Sequence, residues 1–170
     1  MFLFRIKAFL LVFLIFLTSA TVSAEAEAQK LAAREGWVHG NVQQVGFRAF
    51  IFKQAIRYNL GGLIENQPDG SVHFLLQGQS TRLEEVLISI KQGPKKAVVT
   101  NIKMAPFPVR KGIISVIVKG WTSKSRDFDH PVDLVYSLRP EDQIVSDIEV
   151  RRIFKKVIQD AIVSVNKVPR

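Results

Sequence analysis

The sequence predicts an α+β fold, an antiparallel sheet with two helices on one face, on two observations. Apolar residues change period along the chain: short strand-like runs at 35–39, 62–66, 71–76 and 97–104 alternate with two stretches of helical spacing, 47–58 and 81–92. Gln67-Pro68-Asp69-Gly70 is turn chemistry, and it joins the second and third strands into a hairpin. The order is therefore strand, helix, strand, strand, helix, strand. That is the split βαβ, or ferredoxin-like, sandwich, and a strand and a helix follow it as a C-terminal extension.

Taken in order, the chain opens with Arg5 and Lys7 ahead of an unbroken apolar run from Ala8 to Leu17, and Val22-Ser23-Ala24 supplies small residues at a cleavage spacing. Residues 1–24 read as a secretory signal peptide, which places the protein in the periplasm or outside the cell. An uncleaved anchor is the alternative, since Ile6 to Ala24 is about long enough to span a bilayer. Without cysteine there is no lipid-attachment site and no disulfide framework. Residues 25–34 are Ala-rich and charged and read as a leader. Residues 35–119 form the main domain, and 120–170 the extension.

Glu35 to His39 is the first strand. Phe47, Ile51, Ala55 and Tyr58 recur at helical spacing, and Asn59 with Gly61-Gly62 stops that helix. Gly62–Asn66 and Ser71–Leu76 are the hairpin strands, so Asn66 lies at a strand end. Thr81-Arg82-Leu83-Glu84 has capping-box form, with Leu83, Val86, Leu87 and Ile90 as a buried stripe before Gly93-Pro94. Ala97–Met104 is the fourth strand, and Ile113–Val118 reads as a fifth, at an edge. In the extension, Val132–Leu138 is strand-like. Ser146-Asp147-Ile148-Glu149 is a second capping-box form, opening an amphipathic helix over about 147–165 whose polar face carries Arg151, Arg152, Lys155 and Lys156. The helix-free face of the sheet is where this helix is expected to pack.

The stretch V-H-G-N-V-Q-Q-V-G-F-R, Val38 to Arg48, carries the chemistry. A strand hands over to a helix through a loop whose amides, with the unpaired N–H groups of the helix's first turn, form a concavity for an anion. Arg48, in that first turn, adds a planar fork matched to phosphate oxygens. The candidate phosphate-binding loop is Gly40, Asn41, Val42, Gln43, Gln44, Val45, Gly46 and Phe47. This segment resembles the acylphosphatase signature V-x-G-x-V-Q-G-V-x-F-R, with Gln44 in place of the family's second glycine. Gly62 to Val72 is similar to the family's G-W-V-x-N-x-x-D-G-x-V, with Leu63 for its tryptophan, and Gly93-Pro94 with Ala97-Val98-Val99 resembles its G-P-x-x-A-x-V. The resemblance implies an acylphosphatase in which Arg48 binds phosphate and Asn66 orients the attacking water. A glycine in an anion loop often supplies left-handed backbone, so Gln44 is expected to carry about 1–2 kcal/mol of strain if its φ is positive.

Such a reaction makes small demands. A carboxylic acid with a pKa of roughly 4 leaves as its anion without a proton donor, so what remains is to hold the phosphoryl oxygens and aim a water. His39, His73 and His130 show no ligand spacing, so no metal or other cofactor is implied, and Ser71 and Ser80 have no base in recognisable relation. Lys+Arg number 24 against 15 Asp+Glu; residues 25–120 hold 13 basic and 7 acidic residues and 121–170 hold 9 and 8. The basic excess thus sits on the main domain, where it suits a small anionic substrate. Nucleic-acid binding is not expected. The alternative reading is a catalytically degenerate module of the same fold that binds an anion, or whose extension binds a protein partner or the envelope surface.

Overall fold

The computed structural model describes residues 30–123, 128–140 and 143–166; the expected signal peptide lies outside them. In chain order the elements are β1 (Leu31–Asn41), α1 (Phe47–Tyr58), β2 (Gly61–Asn66), β3 (Val72–Gln79), α2 (Ser80–Gln92), β4 (Val98–Phe107), β5 (Ser115–Ser123), β6 (Phe128–Ser137) and α3 (Asp147–Asn166). The strands form one sheet in the order β4-β1-β3-β2-β5-β6. Every pairing is antiparallel except β2 with β5, which is parallel. Among the described residues no helix is long and apolar enough to cross a membrane.

The core follows from the two periodicities. On β3, Val72, Phe74 and Leu76 are fully buried against the stripe Phe47, Ile51, Phe52, Ala55 and Ile56 of α1 and Leu83, Val86, Leu87 and Ile90 of α2. On the opposite face of β3 the buried polar groups are satisfied: Trp37 stacks on His73 with centroids 4.8 Å apart, and the His73 ring nitrogens lie 3.0 Å from Glu35 and 3.0 Å from Glu65. Gln77, also on that face, donates to Arg110 O at 2.8 Å and accepts from Arg110 N at 2.7 Å. These bonds hold the connection that carries the chain from β4, at one edge, to β5 beside β2.

Several expectations are corrected. Residues 31–34 are not leader: they extend β1, with Leu31 opposite Gln79 and Arg34 opposite Leu76, because the ladder to β3 satisfies their backbone and buries Ala33. The capping box at Thr81 does not form; α2 begins one residue earlier, at Ser80, and no side chain caps it. The second box is half made, Glu149 N donating to Ser146 Oγ at 3.3 Å. β6 begins at Phe128, before the expected Val132.

The largest correction concerns α3, which packs beside α1 and over β6 and not on the helix-free face. β6 widens the sheet past α1, which packs on β2, β3 and β5, and its buried Leu134 needs a cover. Val150 and Ile158 of α3 supply it, and Phe154 meets Phe52 edge-on at 6.1 Å. Arg139 fastens the extension to the C-terminal end of α1, donating to Ile56 O (3.0 Å), the Tyr136 hydroxyl (2.8 Å) and Gln143 O (2.6 Å), where a cation also complements the helix dipole. Asn59 closes the joint, its amide taking Arg139 N at 2.9 Å and giving to Arg139 O at 3.1 Å.

Candidate active site

β1, β2 and β5 run in the same direction, so their C-terminal ends gather at one edge of the sheet, over the N-terminus of α1. A cavity of about 610 Å³ opens there, within the range of roughly 300–1,000 Å³ usual for ligand sites. Val42, Gln43, Gln44, Gly46, Phe47, Arg48 and Asn66 line it, together with Gly120, Trp121 and Thr122 of β5.

The loop is held open by its backbone. Gly40 sits at φ 125 beside a bulge in β1, and a Cβ there would lie 2.1 Å from Val98 O. Gln44 has φ 60 and Gly46 φ 82, so the glutamine adopts the left-handed conformation that a glycine would take. The loop's shape is therefore kept at Gln44, and the strain is a stability cost of about 1–2 kcal/mol. Gly46 is the N-cap of α1, no side chain caps the helix, and its first turn has no acid. Val42 N turns back to Gly40 O at 3.0 Å, whereas no backbone carbonyl among the described residues takes the amides of Gln43 to Arg48. These donors and the dipole's positive end are left for an anion.

Arg48 is half-buried over the cavity. Both hydrogens of Nη1 are committed, to Lys119 O at 2.5 Å and Gly120 O at 3.1 Å, and the guanidinium lies 5.9 Å from the centre of the Trp121 ring. Nε and Nη2 meet no acceptor among the described residues, which leaves one edge of the fork for phosphoryl oxygens. Burial pulls the Arg48 pKa below its ordinary value; at so basic a group this leaves the charge in place. No carboxylate among the described residues pairs with it. Asn66 Oδ1 is buried and has no hydrogen-bond partner, an acceptor that a water would satisfy.

The structure thus gathers most of the sequence-predicted site, with differences of role. The side-chain amide of Gln43 is committed elsewhere: its Nε2 donates to Gln67 O (2.8 Å) and Ser71 O (2.9 Å), tying the loop to the hairpin that carries Asn66. Gly40, Asn41 and Val45 do not line the cavity, Gly40 being a spacer against β4 and Val45 packing on the core. Sequence reasoning missed Gly120, Trp121 and Thr122. The boundary drawn at 119/120 falls inside β5, and only its parallel pairing with β2 carries these residues to the site.

A family model described as Acylphosphatase matches residues 34–113. The chain is 40% identical over 67 residues to an Acylphosphatase of Methanocella arvoryzae, covering 39% of this chain and 76% of that protein. It is 32% identical over 104 residues to an Acylphosphatase of Koribacter versatilis, covering 59% of this chain and 94% of that one. Among solved structures, acylphosphatase from Bacillus subtilis superposes with a TM-score of 0.47 at 31% identity, over 49% of this chain and 92% of that chain. The matched model stops at residue 113, before β5.

Proposed function

The chain belongs to the acylphosphatase family and hydrolyses acyl phosphates to a carboxylate and phosphate, and we propose that Arg48 and the loop amides hold the phosphoryl group while Asn66 aims the water. The observation that carries this assignment is the convergence, on one cavity, of an uncapped helix N-terminus, a guanidinium with one open edge, and an asparagine oxygen without a partner. The amides of Gln43 to Arg48 and the Nε/Nη2 edge spread the charge of the phosphoryl oxygens as it shifts in the transition state. Asn66 Oδ1 accepts from the water and sets its oxygen in line with the leaving oxygen. The water oxygen forms a bond to phosphorus, the bond from phosphorus to the acyl oxygen breaks, the carboxylate leaves with that electron pair, and the water's proton passes to a phosphate oxygen. Small acyl phosphates fit the cavity, which leaves room for an acyl group beside the phosphate.

The test is phosphate release from benzoyl phosphate by the purified protein, with phosphate as competitive inhibitor. Asn66→Ala is expected to lower kcat by about a hundredfold and change the inhibition constant of phosphate little; Arg48→Ala is expected to damage both. Identical profiles for the two variants would refute the division of roles. A natural protein that binds phosphate but releases none would return the degenerate-module reading.

Export is the second part of the proposal, supported by the basic start, the apolar run from Ala8 to Leu17 and the small residues at Val22-Ser23-Ala24. Intact-mass measurement of the exported protein is expected to show a chain beginning at Glu25. A species retaining Met1 that sediments with membranes would overturn this.

A further inference from the structure

β5 and β6 fall out of step next to Arg48. Val118 faces Leu134 and Trp121 faces Val132, so Lys119 and Gly120 together oppose Asp133 alone, a β-bulge with Gly120 at φ 56. In a regular strand successive carbonyls point to opposite sides, and one nitrogen could not reach both. Here the carbonyls of Lys119 and Gly120 converge on Arg48 Nη1, at 2.5 and 3.1 Å. Asp133 closes the bulge from behind: Oδ1 accepts Gly120 N at 3.1 Å and Oδ2 accepts Lys119 Nζ at 2.5 Å.

We propose that Asp133 is a positioning residue for the acylphosphatase reaction, holding the β5 bulge so that its two carbonyls fix the guanidinium of Arg48 with the Nε/Nη2 edge turned to the phosphoryl group. The proposal rests on Arg48 being the phosphate-binding arginine. It gives the extension a task in catalysis, since Asp133 lies on β6, beyond the matched part of the chain. The pairing with Lys119 suits that task in a second way. A carboxylate so close to an anion site would repel the substrate, and the ammonium beside it cancels its charge, so the field of Arg48 is not opposed. Both groups are exposed at the surface, and the Asp133 carboxyl is held below its usual range, first by the hydrogen bond from Lys119 and then by the Gly120 amide.

The experiment is a cycle of Asp133→Ala and Arg48→Ala, singly and together, read by calorimetric titration with inorganic phosphate and by kcat/KM on benzoyl phosphate. Asp133→Ala is expected to weaken phosphate binding and lower kcat/KM by about tenfold, below the roughly hundredfold of a grossly misplaced group. Asp133→Asn keeps an oxygen for Gly120 N and is expected to stay within about threefold of the natural protein. In the Arg48→Ala background, Asp133→Ala is expected to change phosphate affinity by less than about twofold, the non-additivity of groups acting through one another. Gly120→Ala, whose new Cβ meets nothing within 4 Å but whose φ of 56 it strains, is expected to repeat the Asp133→Ala effect. An undiminished loss in the Arg48→Ala background, or folded Asp133→Ala and Gly120→Ala proteins that bind phosphate as the natural one does, would overturn the proposal. The phosphate titration reads the hold of the bulge on Arg48 even if turnover is absent, so its failure is distinct from failure of the hydrolase assignment.

Discussion

The side chain of Gln43 ties the phosphate loop to the hairpin that carries Asn66, and removing it has a measurable cost. Its Nε2 bridges Gln67 O and Ser71 O, at 2.8 and 2.9 Å. Each carbonyl has a second donor, Gly70 N on Gln67 O at 3.1 Å and Gln67 N on Ser71 O at 2.9 Å, so Gln43→Ala would leave neither one orphaned. The cost is then two ordinary hydrogen bonds at the lower end of their range, about 1–2 kcal/mol in all. For a protein of this size that is a fall of about 3–6 °C in Tm, which thermal unfolding followed by circular dichroism resolves. Because the bridge sets the loop's distance from Asn66, kcat/KM on benzoyl phosphate is expected to fall several-fold as well. Gln43→Glu keeps the length of the side chain but sets a carboxylate against two carbonyls, and its loss is expected to equal or exceed that of alanine. A Gln43→Ala protein with Tm within about 1 °C of the natural one, or a Gln43→Glu protein more stable than it, would show that the bridge does not hold the loop.

Further outcomes follow from the same geometry. Gln44→Gly relieves the left-handed strain but loosens the unfolded chain by about 0.5–1 kcal/mol, so Tm is expected to stay level or rise slightly, and kcat/KM to stay within about threefold because the loop already has glycine's conformation. A rise of about tenfold in steady-state kinetics would mean that the side chain displaces the donors. Arg139→Met removes donors from Ile56 O, the Tyr136 hydroxyl and Gln143 O; a loss of about 2 kcal/mol is expected in urea unfolding, since Arg139 Nε is itself buried without a partner and offsets part of the gain. Asp69 and Asp133 both hold their carboxyls below the ordinary value, Asp69 through hydrogen bonds from Ser71 and Asp133 through that from Lys119. The folded state therefore binds fewer protons than the unfolded one in this range, and the stabilisation is present above the unfolded value and lost as pH falls through the depressed folded values. Tm is expected to be flat above about pH 5 and to fall below about pH 4, less steeply in Asp133→Asn.

The extension bears on how the site is built as well as on stability. Phe154 of α3 stands edge-on to Trp121 at 6.0 Å, and Trp121 in turn lies under Arg48. Arg139 grips the far end of α1, the helix whose first turn presents Arg48. One helix is thus held at both ends by residues beyond the family-matched part of the chain, and its position is set jointly by the core beneath it and the extension beside it.

The sequence alone specifies the strand–loop–helix unit and the hairpin, and its resemblance to the family is what joins Arg48 and Asn66 in one site. Its signals there are local: helical spacing that placed α1 at 47–58 as found, a Pro-Asp-Gly turn that put Asn66 at a strand end, and glycine chemistry around the loop. The rest depends on contacts between segments distant in the chain. That β1 reaches back to Leu31 depends on its partners β3 and β4, since an Ala-rich charged segment has no strand pattern of its own. That α3 joins the helical face depends on which surface the widened sheet leaves apolar. That Trp121 and Gly120 wall the site depends on β5 entering parallel to β2, and the task of Asp133 on a bulge two strands from the loop. Residue period records which side of an element is buried; it does not record which element lies across from it, because that is settled by hydrogen bonds and contacts between segments far apart in the chain.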